Sequence, residues 1–445
     1  MKLSKFNLLL PNRNNNGHIL FNTLSGHSFT IDDSIASEIQ CENVQGFDED
    51  TFKLFVDYGI VVNDEIDENR FFTYFHNKQK FSNSSISSTV LLTWACNLNC
   101  VYCYEGAGSQ KTSMKIENAD NYIRFIVNEA TSKNVKNISI NLFGGEPLIN
   151  IDVGFYILDN LKRFCLQHDI NLTSSIITNG TLLTYEIVEK LQTYNCQMLQ
   201  ITLDGTEAIH DTRRMYKGGR GSFNDIIKVL KMINEKQHSI QTVIRINVDK
   251  TNLSETYELL EYIGFNGENL VNCTVDFGIV RGSTAACSAY SGNCIPESDI
   301  GDVLEKLWIA AEKQGFKNFV RPSQKWLYCG LYGDNQYTVT PNCDVYKCWE
   351  HAGDEKHMIG QINEEGILEN IKYAFFDWMS KNPLDNVDCK QCAYLPSCGG
   401  GCGVVSYNET GSYHSKGCFK IKGVLEKQIL RYVDDTLDPK VHAVT

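Results

Sequence analysis

The sequence predicts an α/β fold of six βα units around a parallel sheet, open or curved into part of a barrel, with a smaller unit before it and a cysteine-rich region after it. Three observations predict this. Strand-like runs alternate with amphipathic helical stretches from Thr89 to Val280, as in a parallel sheet with crossover helices. Residues 1–85 carry short strands and two helices instead. Beyond Gln314 the apolar periodicity breaks into short strands, Gly-rich turns and cysteines.

In chain order, Phe6–Leu10, His18–Asn22 and Ser28–Ile31 read as strands and Asp33–Gln40 as a helix. A second helix near Asp48–Tyr58 leads to a strand at Ile60–Asn63 and the acidic segment Asp64–Glu68. That is the order of a winged-helix module. The Asn/Ser-rich stretch Asn77–Ser88 reads as a linker. The central strands are predicted at Val90–Trp94, Ile138–Phe143, Ser174–Thr178, Met198–Leu203, Thr242–Asn247 and Thr274–Val280. Between them, Phe223, Ile226, Ile227 and Leu230 fall at i, i+3, i+4 and i+7, and Tyr122, Phe125 and Ile126 begin a similar stripe. Active groups in such folds gather at the carboxyl ends of the strands. The expected divisions are 1–85, 86–310 and 311–445. The last is so poor in apolar periodicity that metal is expected to supply part of its stability.

The 445 residues, 42 % of them apolar, suit a soluble protein of several domains. No run of about 18 apolar residues spans a membrane, and the start lacks the pattern of a signal peptide. A cytoplasmic location is expected. The formal charge of −13 argues against a nucleic-acid partner, which needs a basic surface. The 17 cysteines point, in a reducing compartment, to metal binding or catalysis rather than disulfides.

Cys96, Cys100 and Cys103 follow the first strand in "LLTWACNLNCVYCYEG". Three thiolates spaced C-x-x-x-C-x-x-C can bind three irons of a cubane and leave the fourth open for a chelating ligand. A structural zinc site would use four protein ligands. At the end of the second strand stands "NLFGGEP", Gly144–Pro147 closing it, in which Gly144 and Gly145 permit close backbone approach and either Glu146 or exposed backbone carbonyls could receive an ammonium. A second field holds Cys389, Cys392, Cys398 and Cys402, with Cys418 beyond and Cys329 and Cys348 upstream. Paired C-x-x-C knuckles also suit zinc, but seven motif cysteines exceed one zinc site.

The cysteine loop, "FGGEP", "ITNGTLL" and "ITLDGTEAIHDTRR" resemble the radical S-adenosylmethionine superfamily, and the C-terminal part resembles its SPASM branch of peptide and sulfatase maturases. The resemblance covers roughly residues 88–425. It implies a partial (β/α)6 TIM-type barrel, S-adenosylmethionine bound at the open iron, and three [4Fe-4S] clusters, one of them for radical formation and two auxiliary. By resemblance Tyr102 sits where the loop backbone meets the adenine, and Gly145 meets the methionine amine. Thr202 replaces a ribose-contacting serine, and Arg214 lies near the carboxylate. Asp204 and His210 are expected as a turn cap and a structural histidine. The SPASM pairing would assign Cys389, Cys392, Cys398 and Cys418 to the outer auxiliary cluster, and Cys329, Cys348 and Cys402 to the inner one. Cys343 is then either the missing inner ligand or a structural thiol, and without it an iron stays open. Sulfatase maturases carry a catalytic aspartate where this sequence has Trp349, which cannot take a proton. Glu350 or His351 could act as base instead, or both are solvated loop residues.

Residues 1–85 resemble the leader-recognition module of ribosomal-peptide maturases, through "HILFNTLSGHSFTID", two helices and "YGIVVNDEIDE". The expected activity is hydrogen abstraction from a ribosomally made precursor peptide with a leader, followed by cross-linking. A thioether is the first guess, then a carbon–carbon or carbon–oxygen bond. A reductant such as flavodoxin or ferredoxin is the implied second partner. Two other readings stay open: modification of a whole protein or small metabolite, and a non-catalytic zinc or redox regulator.

Overall fold

The computed structural model describes residues 1–13, 17–106, 108–236, 238–282, 284–317 and 321–437. Its centre is a ten-stranded sheet. Six parallel strands lie side by side in sequence order: Ser85–Leu91, Asn137–Phe143, Asn171–Thr178, Cys196–Thr202, Gln241–Val248 and Thr274–Ile279. Every crossover therefore steps the same way. Right-handed crossovers then place all the helices on one face, and the sheet curls with its other face inward. The outer strands of the sheet are not paired to each other, so the barrel stays open.

The two-residue alternation of a strand separates the faces. Leu142, Ile176, Ile201, Ile244 and Ile246 join the core under the helices, with Tyr122, Phe125, Ile226 and Leu230 from the helical side. Their neighbours Phe143, Ile177, Thr202 and Asn247 face a cavity in the barrel interior.

Four further strands extend the sheet beyond Ser85–Leu91. Gln336–Val339 pairs parallel to it, with Thr338 opposite Thr89. Asp344–Tyr346, Gly360–Ile362 and Leu368–Glu369 follow as an antiparallel meander. The cysteine-rich segment is thus anchored on the barrel's own sheet.

The N-terminal unit is a three-stranded antiparallel sheet, Asn7–Pro11, His18–Asn22 and Ser28–Ile31, with helices Asp33–Gln40 and Glu49–Asp57. Asp32 and Asp48 cap these helices by accepting from the amides of Ile35 and Thr51. One sheet face packs Leu8, Ile19 and Phe21 against Ile421, Leu425 and Ile429 of the C-terminal part. The unit therefore sits on the cysteine-rich region.

The linker expected at Asn77–Ser88 is corrected. A helix occupies Glu68–Lys80, and the first barrel strand already begins at Ser85. The helix buries Phe72, His76 and Lys80, at i, i+4 and i+8, against the C-terminal region. The His76 ring Nδ1 lies 2.7 Å from the Trp326 carbonyl oxygen, and the Lys80 ammonium donates to the Lys381 carbonyl at 2.8 Å. The Ser/Thr run Ser85–Thr89 is strand because it pairs on one side with Asn137–Asn141 and, from Ser87, with Gln336–Thr338 on the other. Among the described residues, no helix is long and apolar enough to cross a membrane.

Candidate active site

The loop after the first strand is held at its root by the end of the second. The Gly145 amide donates to the Thr93 carbonyl at 2.9 Å, and the Glu146 amide to the Ala95 carbonyl at 2.9 Å. The backbones pass so closely that a Cβ on Gly144 would meet the Thr93 carbonyl oxygen at 2.3 Å. Gly144 also has φ +132°, which side-chain-bearing residues rarely adopt.

One cavity of 470 Å³ opens above this junction. Cys96, Cys100, Cys103, Tyr102, Gly144, Gly145, Thr202 and Arg214 all line it. Glu146 and Pro147 do not, which corrects their expected contact with the cofactor. Glu146 is fully buried. Its Oε1 accepts from the Leu148 amide at 2.9 Å and the Thr178 hydroxyl at 2.7 Å, and its Oε2 from the Asn179 amide at 2.7 Å. Both oxygens are thus spent on tying the second strand's end to the third's, and Pro147 starts the short helix Pro147–Asn150 behind it.

A buried polar network backs the cavity. Tyr102 donates to Asp204 and accepts from Arg214 at 2.7 Å and from Asn247 at 3.2 Å. Arg213, which was not singled out in the sequence, pairs with Asp249 at 2.8 Å and donates to Tyr290 at 3.0 Å. In the tandem "RR", one arginine faces the cavity and the other holds the wall. His210 is structural: its Nδ1 accepts from the Asp204 amide at 3.1 Å, and its Nε2 lies 3.0 Å from the Ser222 hydroxyl. Asn179, within "ITNGTLL", directs its amide toward Asn97 at 2.8 Å and Cys96 Sγ at 3.9 Å.

Burial pushes the Cys96 thiol up to about 11 and the Cys100 thiol up to about 12. A bare thiolate is costly in such a place, and a metal-borne positive charge removes the cost. Three thiols around one cavity, beside bare glycine backbone, fit the ligand set of an iron–sulfur group with one open iron. Among the described residues, no three Cys, His, Asp or Glu side chains converge as ligands of a single metal ion. Thiolates of a cluster sit on separate irons and need no such convergence.

The remaining motif cysteines fall into two places. Cys389, Cys392, Cys398 and Cys418 surround one small hollow beside Gly400, Gly401 and Gly417. Cys329, Cys348 and Cys402 lie together around Trp378 and Tyr332. Cys343 is not in that cluster of side chains. It belongs to the barrel core, and its thiol donates to the Asn118 carbonyl at 3.3 Å. A left-handed turn, φ 66° at Cys343, directs it there. Of the scattered cysteines, Cys165, Cys196, Cys273 and Cys287 are buried, while Cys41 is exposed and Cys294 partly so.

Trp349 lines the first cavity, whereas Glu350 and His351 line an adjoining outer cavity. Glu350 pairs with Arg281 at 2.7 Å. His351 stacks on His357 with ring centroids 3.8 Å apart, and its Nδ1 lies 3.2 Å from the Tyr413 hydroxyl.

Comparison with known proteins places this geometry. The family model described as the radical SAM superfamily matches residues 90–263. A cysteine-type anaerobic sulfatase-maturating enzyme of Clostridium novyi is 27 % identical over 377 residues, covering 78 % of this chain and 96 % of that protein. An uncharacterized protein of Methanocaldococcus jannaschii is 32 % identical over 281 residues, covering 62 % of this chain and 89 % of its own length. The structure of Streptococcus suis SuiB bound to precursor peptide SuiA superposes with a TM-score of 0.53 at 16 % identity. That likeness in fold covers 94 % of this chain and 99 % of SuiB.

Proposed function

The chain belongs to the radical SAM superfamily, and on that premise we propose that it is a peptide maturase that takes hydrogen from a ribosomally made precursor and installs a cross-link, first a thioether, next a carbon–carbon or carbon–oxygen bond. The observation that carries the reading is the single cavity lined by Cys96, Cys100 and Cys103, by Gly145 and by the inward faces of the barrel strands. Those three cysteines would hold the radical-forming cluster. Cys389, Cys392, Cys398 and Cys418 would hold an outer auxiliary cluster, and Cys329, Cys348 and Cys402 an inner one with an open iron. When bound at the first cluster, S-adenosylmethionine supplies the 5′-deoxyadenosyl radical that abstracts hydrogen.

The chain's own residues bind and orient. Arg214 presents a fixed cation to the cavity, suited to a carboxylate. Gly145 leaves its backbone bare for an ammonium, and the Thr202 hydroxyl serves a ribose. The apolar Phe143, Ile177 and Met198 line the same space and limit water.

The peptide part rests on the N-terminal unit. Among the described residues Ser28–Ile31 pairs on one side only, with His18–Asn22, and so presents an edge to which an extended leader strand can add. SuiB, whose fold is similar over 94 % of this chain, is described with a bound precursor peptide. A leader held there raises the effective concentration of the core peptide at the barrel. Trp349 at the cavity wall cannot serve as a proton-accepting base, which sets the reading apart from sulfatase maturation. A small carrier such as flavodoxin or ferredoxin would deliver the electron.

Co-expression with a candidate precursor, followed by mass spectrometry, tests the proposal. Loss of hydrogen mass localised to a cross-linked pair supports it. An unmodified precursor beside a modified intact protein or metabolite contradicts it.

A further inference from the structure

Three thiolates hold three irons of a cubane, so the inner group of Cys329, Cys348 and Cys402 leaves one iron to be met by another atom. Cys343 packs in the barrel core instead. A fourth protein ligand must stand beside the three sulfurs, carry a lone pair, and have no other partner for the atom that binds.

Glu350 meets these conditions. It lies in the short 3₁₀ turn Trp349–His351 that follows Cys348, and its amide donates to the Cys348 sulfur. Arg281 ties it to the other side of the group. One guanidinium nitrogen donates to Glu350 Oε1 at 2.7 Å, and the other lies 3.9 Å from Cys402 Sγ. Burial pushes the Cys348 and Cys329 thiols up, and the Glu350 carboxylate adds to the rise at both. The carboxylate thus stands among all three cysteines.

Its second oxygen, Oε2, is buried and has no hydrogen-bond partner among the described residues. Folded proteins rarely leave such an atom unmet, because it costs on the order of 1–3 kcal/mol. His351 Nε2 is the other unmet atom of this turn. The His351 ring, however, is stacked on His357 and engaged with Tyr413.

We propose that Glu350 Oε2 is the fourth protein ligand of the inner auxiliary cluster, so that the iron left open by Cys329, Cys348 and Cys402 is closed by a carboxylate. Arg281 holds the group by Oε1 and leaves Oε2 for the iron, as outer partners of metal-binding carboxylates do. Its positive charge also offsets one of the four anionic ligands. Against three soft thiolates, one hard oxygen makes a single iron distinct, and Glu350 also lines the outer cavity. The inference rests on the assignment of these cysteines to an inner cluster and deepens it.

The test uses the full chain with Cys96, Cys100 and Cys103 changed to alanine, which removes the first cluster and its open iron. The protein is reconstituted anaerobically and then reduced. About eight irons per chain mark both auxiliary clusters, whereas about four mark loss of the inner one and take down the cluster assignment itself. With both clusters present, ¹³C-cyanide in small excess is the probe. It binds an iron that no protein atom holds and adds a ¹³C coupling to the electron–nuclear double resonance spectrum. Protein with Glu350 should show no coupling, and Glu350→Gln should show it. Coupling in both, or in neither, overturns the proposal. So does coupling in His351→Ala with none in Glu350→Gln, which moves the position to the imidazole. If Glu350→Gln holds about four irons, Glu350→Asp decides. Both clusters without coupling in that variant support the carboxylate ligand, and any other result overturns it.

Discussion

A Cβ on Gly145 would stand 2.5 Å from the carbonyl oxygen of Trp94, and the two backbones are locked at that approach by the hydrogen bonds that the Gly145 and Glu146 amides donate to the Thr93 and Ala95 carbonyls. The root of the cysteine loop and the end of the second strand therefore form one rigid piece.

Gly145→Ala is expected to force these backbones apart. Overpacking against main chain costs about 1–3 kcal/mol, visible as a lower midpoint in denaturant unfolding. Because the shifted segment leads into Cys96, the variant should also retain less iron on anaerobic reconstitution than wild type. Unchanged iron and stability would contradict the geometry.

Cys343 and Cys348 separate a structural thiol from a proposed ligand. Cys343→Ala should keep the full iron content, at a stability cost of about 1 kcal/mol for the lost side chain and hydrogen bond. Cys348→Ala should lose about four irons per chain, the content of one cubane. Equal iron loss in both variants would return Cys343 to the ligand set.

His76 makes stability depend on pH. Its Nδ1 donates to the Trp326 carbonyl, its Nε2 is buried without a partner among the described residues, and burial lowers its pKa to about 4. The neutral ring is thus favoured in the folded state. The sign follows from linkage: the contribution is complete above the ordinary histidine range near 6.5 and is lost as pH falls toward about 4. The loss from this one group is at most about 1.4 kcal/mol per pH unit. Denaturant unfolding across that window should show a shallower decline for His76→Gln, which can still donate to Trp326. Parallel declines would remove His76 as the cause.

Much of this was legible in the sequence, for identifiable reasons. The barrel strands alternate an apolar helix-facing residue with a cavity-facing one, as Leu142 does with Phe143, and amphipathic helical stretches separate them, so all but the first were legible near their observed places. The three-cysteine loop was legible because its spacing is itself the chemistry. The helix Glu68–Lys80 was missed because its buried stripe is Phe72, His76 and Lys80, and two of those three read as polar. The strand start at Ser85 was missed because a Ser/Thr run becomes strand only when flanked on both sides. Glu146 looked available because nothing local shows that Thr178 and Asn179 claim its oxygens. The direction of Cys343 depends on one left-handed turn.

The central claim is that the cavity of Cys96, Cys100 and Cys103 generates a radical from S-adenosylmethionine. The most direct measurement is 5′-deoxyadenosine formed by anaerobically reconstituted, chemically reduced protein supplied with S-adenosylmethionine. The account predicts steady formation by wild type, with about eight to twelve irons per chain, and none by a variant with all three cysteines changed to alanine. Zinc in place of iron, or no 5′-deoxyadenosine from an iron-loaded and reduced wild-type protein, would contradict it.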